Sequence, residues 1–315
     1  NLDMELKSSE NTFLYGMNHF FNEIINLYNK KKLPTKILLS GKKGLGKSTL
    51  AYHIINYIFS ENEDFKYDTN NFFINENNRS FKLVQNNSHP NFYLLDLLDE
   101  KKNIDVNQIR EMITYTYKST FNNKARFILI DNIEHLNKNS VNALLKIIEE
   151  PNENIFFILI YNSEKNILPT LKSRCLTFKI NFTFNESIHI TNQLLKENIF
   201  KIINYDLINY YNTPGEIINL VNFCRKTNIN LNNYTLFNFL NLLIDKAYYK
   251  KNKNVKILLI NSIELFFLKE YKLSESKEAL LNFYHNFINK IHNTDKFNLD
   301  EESLFLEFKA KLLNE

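Results

Sequence analysis

Three of the five glycines in this 315-residue chain fall within nine positions, Gly41 to Thr49, which read "GKKGLGKST". A glycine-poor chain that gathers its glycines in one place needs a backbone there that turns tightly or is approached closely. The apolar run "KILLS" (36–40) precedes the segment, and "STLAYHIINYIF" follows it with the pattern of a helix. A strand, a glycine loop and a helix in that order constrain the fold more than any other feature. The turn curls so that backbone N–H groups converge at the helix start.

The same strand–helix alternation runs through the first ~180 residues, where domain length alone allows two or three domains. "NFYLLDL" (91–97), "ARFILID" (125–131) and "IFFILIYN" (155–162) read as buried strands, and "CLTFKI" (175–180) as a fifth. Near-continuous apolar strands are buried on both faces, as in parallel sheets, so this part is α/β with helices packed on the sheet. Asp105 is placed to cap "DVNQIREMITYTY", with Val106, Ile109, Ile113 and Tyr117 on one face. "NSVNALLKIIEEP" buries Val141, Leu144, Leu145 and Ile148 and stops before Pro151.

Beyond about residue 182 the pattern becomes wholly helical. The successive segments are "IHITNQLLKENIFKIINY", "GEIINLVNFCRKT", "YTLFNFLNLLIDKAYYK", "VKILLINSIELFFLKEY" and "SKEALLNFYHNFINKIHN". The Asn/Thr-rich stretch around 226–235 reads as a boundary, which divides the chain into 1–182, 183–228 and 229–315.

Composition narrows the function classes. A net charge of +4 with scattered lysines does not by itself steer the chain to nucleic acid. Cys175 and Cys224 are the only cysteines, too few for a disulfide framework or a four-cysteine zinc site. Nothing reads as a signal peptide, and no apolar run reaches the ~18 residues of a membrane span. The expectation is a cytoplasmic protein.

Gly41-x-x-x-x-Gly46-Lys47-Ser48 is the P-loop pattern in the strand–loop–helix context that it requires. The expected nucleotide contacts are Gly41, Gly44, Leu45, Gly46, Lys47, Ser48 and Thr49. Lys47 would reach the β- and γ-phosphates, and Ser48 would ligate Mg²⁺. The strand "FILID" ends in Asp131, the expected second Mg²⁺ residue. The next position is Asn132, and an amide cannot take a proton from water as a carboxylate does, so hydrolysis here should be weak. Glu134 reads as a solvated carboxylate at a helix start.

"GKKGLGKST", "ILIDNIEHLNKNSVNALLKIIEEP" and "ILPTLKSRC", in this order and spacing, resemble the AAA+ subunits of the bacterial sliding-clamp loader. "FLYGMNHFFNEI", "SHPNFYLLD" and "IDVNQIREM" match the same family. The resemblance covers residues 12–180 well and the remainder by architecture, and it is greatest to the delta-prime branch. It implies an N-terminal RecA-like AAA+ parallel-sheet domain, a small helical lid domain and a C-terminal all-helical collar through which subunits oligomerise. It also implies that Arg174 of "SRC" is an arginine finger acting on a neighbouring subunit's nucleotide. Asn162 falls at the first sensing position, while Gly215 stands where motor subunits carry a second sensing arginine. Residues 55–90 hold no cysteine, so the zinc module common in the family is not expected.

The implied protein is a stator that helps load the sliding clamp onto primed DNA and holds ATP and Mg²⁺ with little or no hydrolysis. Its implied partners are gamma/tau-like motor subunits, a delta-like subunit and, through the hetero-oligomer, the clamp and DNA. Two alternatives stay open. A gamma/tau-like motor ATPase needs a working base, which Asn132 opposes. An unrelated P-loop ATPase that binds DNA alone needs a basic stripe, and none is visible.

Overall fold

In a computed structural model of the chain, residues 7–98, 101–118, 124–149, 154–250, 252–297 and 300–313 are described. They form two units, the first ending at Glu186 and the second beginning at Ser187.

The first unit is built on five parallel strands: β1 (Lys36–Gly41), β2 (Phe92–Leu95), β3 (Arg126–Ile130), β4 (Ile155–Asn162) and β5 (Leu176–Lys179). Their order across the sheet is β2-β3-β4-β1-β5. Register pairs Lys36 with Phe157 and Gly41 with Asn162, so β1 and β4 end together.

Both faces of the central strands β1, β3 and β4 are covered, which is why these are near-continuously apolar, while the edge strand β5 stays largely exposed. Ile37, Leu39, Phe127 and Leu129 face α1 (Asn18–Asn29), α2 (Lys47–Phe59) and α3 (Arg79–Gln85), packing with Phe21, Ile24, Leu50, Ile54 and Phe81. Leu38, Ile128, Ile130 and Phe157 face α4 (Val106–Tyr117) and α5 (Lys138–Glu149), meeting Ile109, Met112, Leu144 and Ile148. A short α6 (Pro169–Lys172) leads into β5. This is the α/β AAA+ fold that the motifs imply.

Asp105 caps α4 as expected and forms a reciprocal box with Gln108. The buried stripe is rotated from the expected one. Ile109, Met112 and Thr116 are buried, Val106 and Ile113 half-buried, and Tyr117 is 71% exposed. Thr116 fits inside because its hydroxyl donates to the Ile113 carbonyl, which removes the cost of burying it. In α5 the buried face gains Ile147, and Leu145 is half-buried. The helix ends at Glu149, and Pro151 lies outside the described residues.

The second unit is helical, and the unit boundary falls within the first turn of α7 (Phe184–Leu195). The segment read as one helix from 188 to 205 is broken. Lys196 takes φ 55°, and Asn192 accepts a hydrogen bond from the Ile199 N–H, so the chain restarts as a single turn at Ile199–Lys201. Next come α8 (Pro214–Thr227), α9 (Leu236–Asp245), α10 (Lys253–Leu273) and α11 (Lys277–Phe297). A final helix, α12 (Glu301–Leu312), lies beyond the segments read from the sequence. Its Phe305 and Phe308 are fully buried and meet Phe266, Phe267 and Phe287 in an aromatic cluster. Among the described residues no helix is long and apolar enough to cross a membrane.

His53 of α2 ties three segments of the first unit together. Its Nε2–H donates to the Asn11 carbonyl (2.9 Å), which leaves Nδ1 to accept from the Tyr67 hydroxyl (2.8 Å). Burial pushes its imidazole down to about 4 against the pull of the Asn11 carbonyl, and burial pushes His89 to about 4 as well. Protons therefore favour the unfolded chain once pH falls below the ordinary histidine value of ~6.5. The melting temperature is expected to hold above pH 6.5 and to decline from there to pH 4. A His53→Leu variant, less stable at pH 7, should show a shallower decline over the same window in thermal melts.

Candidate functional site

The β1–α2 loop owes its shape to glycines used in two ways. At Gly41 the requirement is space: a methyl group there would lie 2.6 Å from the Ile180 carbonyl oxygen and 2.8 Å from Leu45 Cδ1. Gly44 and Gly46 instead supply positive φ, 87° and 84°. Gly46 is the residue before α2, and no side chain caps this helix start. The first-turn N–H groups at Lys47, Ser48 and Thr49 thus lack intrahelical partners and sit at the positive end of the helix dipole. Leu45 and Thr49 are buried, and Met17, just before α1, packs against Gly46.

Lys47 is 5% exposed, and its ammonium donates to the Lys42 carbonyl at 2.6 Å. Burial lowers it to about 8, against the opposing pull of Asp131 and Glu134. The Ser48 hydroxyl donates to Asp131 Oδ2 at 2.5 Å, joining the loop to the end of β3 across 83 positions of sequence. Burial pushes the Asp131 carboxyl up, and the Ser48 hydrogen bond opposes the shift. The expected phosphate and Mg²⁺ residues therefore share one site.

Asn132 follows with φ 54°, a left-handed conformation that asparagine tolerates better than most side chains. Its amide donates to Asp96 Oδ1 at 2.7 Å. Asp96 lies just past β2, in register with Asp131 just past β3, and had no role in the sequence reading. The available signal was the repeated ending of "FYLLD" and "FILID", two apolar strands each closed by an aspartate.

Glu134 differs from expectation. It is half-buried in a single helical turn, Ile133–His135, and its carboxylate accepts the Asn162 N–H at 3.1 Å. The end of β4 carries an N–H that needs an acceptor, and Glu134 supplies it rather than facing water. The Asn162 side chain accepts the Glu164 N–H at 3.2 Å, capping the turn that leaves the strand.

Arg174 lies after α6. Its Nε and Nη2 meet Glu149 Oε1 at 2.8 and 2.7 Å, and Nη1 donates to the Thr170 carbonyl at 2.9 Å. The side chain is 37% exposed, and among the described residues no hydrogen bond or ion pair joins it to the glycine loop. Burial pushes the Cys175 thiol up to about 11, so it is no ready nucleophile. In the second unit Gly215 stands in the first turn of α8, between Pro214 and the Thr213–Glu216 capping box. Among the described residues no three His, Cys, Asp or Glu side chains gather to hold a metal ion.

The parallel sheet with its glycine loop at the β1–α2 junction defines an AAA+ type P-loop domain. The family model described as "DNA polymerase III, delta subunit" matches residues 16–183, more than half of the chain. DNA polymerase III subunit delta' of Buchnera aphidicola subsp. Schizaphis graminum is 28% identical over 289 residues, covering 86% of this chain and 84% of that one. Subunit delta' of Buchnera aphidicola subsp. Baizongia pistaciae is 23% identical, covering 90% and 93%. Subunit gamma of Buchnera aphidicola subsp. Acyrthosiphon pisum is 27% identical, covering 93% and 81%. A solved DNA polymerase III gamma subunit-related protein from Thermotoga maritima is 15% identical, with a TM-score of 0.47 over 91% of this chain and 97% of its own. The chain belongs to the DNA polymerase III delta-subunit family.

The contacts at Gly41 make it the least replaceable glycine of the loop. Gly41→Ala is expected to destabilise the protein by about 1–3 kcal/mol, because Ile180 contributes backbone that cannot swing aside. A fall in the urea unfolding midpoint without a change in slope is the check.

Proposed function

We propose that the chain is a delta-prime-like stator of the DNA polymerase III clamp loader, which helps load the sliding clamp onto primed DNA. It holds ATP at its own P-loop with weak hydrolysis at most and donates Arg174 to a neighbouring motor subunit. The observation that carries this reading is the Asp131–Asn132 pair: an acidic metal position beside Ser48, followed by an amide where hydrolysis needs a carboxylate. The domain division at 182 and 228, with a lid and an oligomerising collar, belongs to the same proposal. So do gamma/tau-like motor subunits and a delta-like subunit as partners.

The side chains fit the nucleotide. Lys47 and the first-turn N–H groups of α2 would hold the phosphates, and Ser48 and Asp131 are oxygen donors of the kind Mg²⁺ prefers. Bound Mg²⁺ would neutralise phosphate charge. Asn162 would stand at the rim, its backbone held by Glu134.

Arg174 suits a task in trans. Its planar guanidinium meets phosphate oxygens two at a time, which a lysine cannot do. Its present pair with Glu149 is a surface one, so releasing it costs at most about 1 kcal/mol. A finger on a neighbour's γ-phosphate is worth roughly 10³–10⁵ in rate in GTPases. The similarity to gamma subunits supports a second reading, a motor ATPase in its own right. Asn132 weighs against it.

The test is reconstitution with motor subunits, the delta-like subunit, clamp and primed DNA. Arg174→Ala should assemble normally and lower DNA-stimulated ATP turnover at least tenfold, well within the loss expected for a finger. Unchanged turnover with assembly intact would refute the finger. Robust turnover by the isolated wild-type chain would favour the motor reading.

A further inference from the structure

A cavity of about 930 Å³ lies at the far end of the sheet from the glycine loop. Its lining includes Asn91, Ala125 and Phe156, at the amino ends of β2, β3 and β4, whereas the loop follows the carboxyl end of β1. The eight residues of β4, at ~3.3 Å each, put roughly 25 Å between the two places. We propose that this cavity is a second binding site, for a small organic anion with a carboxylate or phosphate head on an apolar ring. Arg79, Lys124 and His89 would hold the head, and Phe59, Leu83 and Phe156 would flank the ring.

His89 is set as a neutral donor. The Asn91 N–H donates to its Nδ1 at 3.1 Å, so the ring proton sits on Nε2. The imidazole stacks on Phe59, with ring centroids 4.1 Å apart and planes within 4°, which fixes its orientation. Burial keeps it uncharged at neutral pH. Among the described residues the Nε2–H donates to no acceptor. Phe59 and Phe156 both pack on Phe127, so the aromatic wall is continuous.

Arg79 and Lys124 bring charge to the same ring. Both are exposed, and the charge of each is felt at His89. Among the described residues neither side chain makes a hydrogen bond or ion pair. A lone unpaired surface cation is ordinary. Two of them converging with a fixed neutral donor on an aromatic wall form the few polar groups that orient a ligand in an apolar cavity. The acids of the cavity do not cancel them. Glu63 accepts the Ser80 N–H at 3.1 and 3.2 Å on its two oxygens, and the Ser80 hydroxyl as well. Glu61 lies toward Tyr28, whose ionisation it opposes, and Lys31 adds a third cation to the lining. A cationic ligand would meet repulsion at His89, and a neutral one would leave both free charges unused.

Ligand-observed NMR titrations of the full-length chain decide it, with phenyl phosphate, 3-phenylpropionate and uncharged 3-phenylpropanol as probes. At least one anion should bind in the millimolar range, ordinary for probes of this size, and the alcohol at least tenfold more weakly. The tighter anion identifies the head group. Arg79→Ala should weaken anion binding about tenfold. His89→Phe, which keeps a ring against Phe59 and removes the donor, should weaken it about threefold. Arg110→Ala, which removes an exposed arginine of α4 outside the cavity, should bind as the wild type does. Melting temperatures within a few degrees of the wild type establish that each variant is folded. No anion binding, equal binding of the alcohol, or anion binding that Arg79→Ala leaves unchanged would overturn the site, the last including phosphate bound at the glycine loop instead.

Discussion

How closely the ends of β1, β4 and β5 can converge is set by one absent methyl group. Gly41 closes β1 with Asn162 of β4 beside it and the Ile180 carbonyl, just past β5, where a Cβ would stand. Only a residue without a side chain lets the sheet keep this spacing while the chain turns into the loop. The loop that carries Lys47 and Ser48 begins at that approach. Beside it Ser48 reaches Asp131 past the end of β3, and Asn162, at the end of β4, meets Glu134.

What gathers there is costly. A buried lysine and a half-buried aspartate lie within hydrogen-bonding range of a loop, and buried charges persist only when paired and hydrogen-bonded. Lys47 is held by a backbone carbonyl and by the fields of Asp131 and Glu134. Asp131 leans on the Ser48 hydroxyl and on the Asn132 N–H. Core packing alone would favour none of these groups at these positions. The hydrophobic faces on either side of the sheet carry the stability that tolerates them.

The strands were legible because burial on two faces leaves an unbroken apolar signature, and the glycine loop because its spacing admits few other meanings. Helical faces were less so. The stripe of α4 turned by one position because Thr116 hides its hydroxyl against its own helix, a choice invisible in a hydropathy pattern. The break at Lys196 depends on Asn192 reaching a distant N–H, and α12 depends on two phenylalanines whose partners lie on other helices. At the site, Lys47, Ser48 and Asp131 were legible as types. Asp96 and the bond from Asn162 to Glu134 were not, since both are contacts between strand ends far apart in sequence.

In the proposed assembly the grip of Glu149 on Arg174 has a consequence. A free arginine side chain carries about 2 kcal/mol of rotational entropy, which any partner that seizes it must quench. Here the guanidinium is already oriented by two nitrogens on one carboxylate oxygen and a third on the Thr170 carbonyl. Its ordering is charged to the folding of the lone subunit, before any neighbour arrives. A phosphate docking against it, as proposed, would exchange one acceptor for another on a preorganised donor, and recognition would be a swap of counter-anions more than an act of capture.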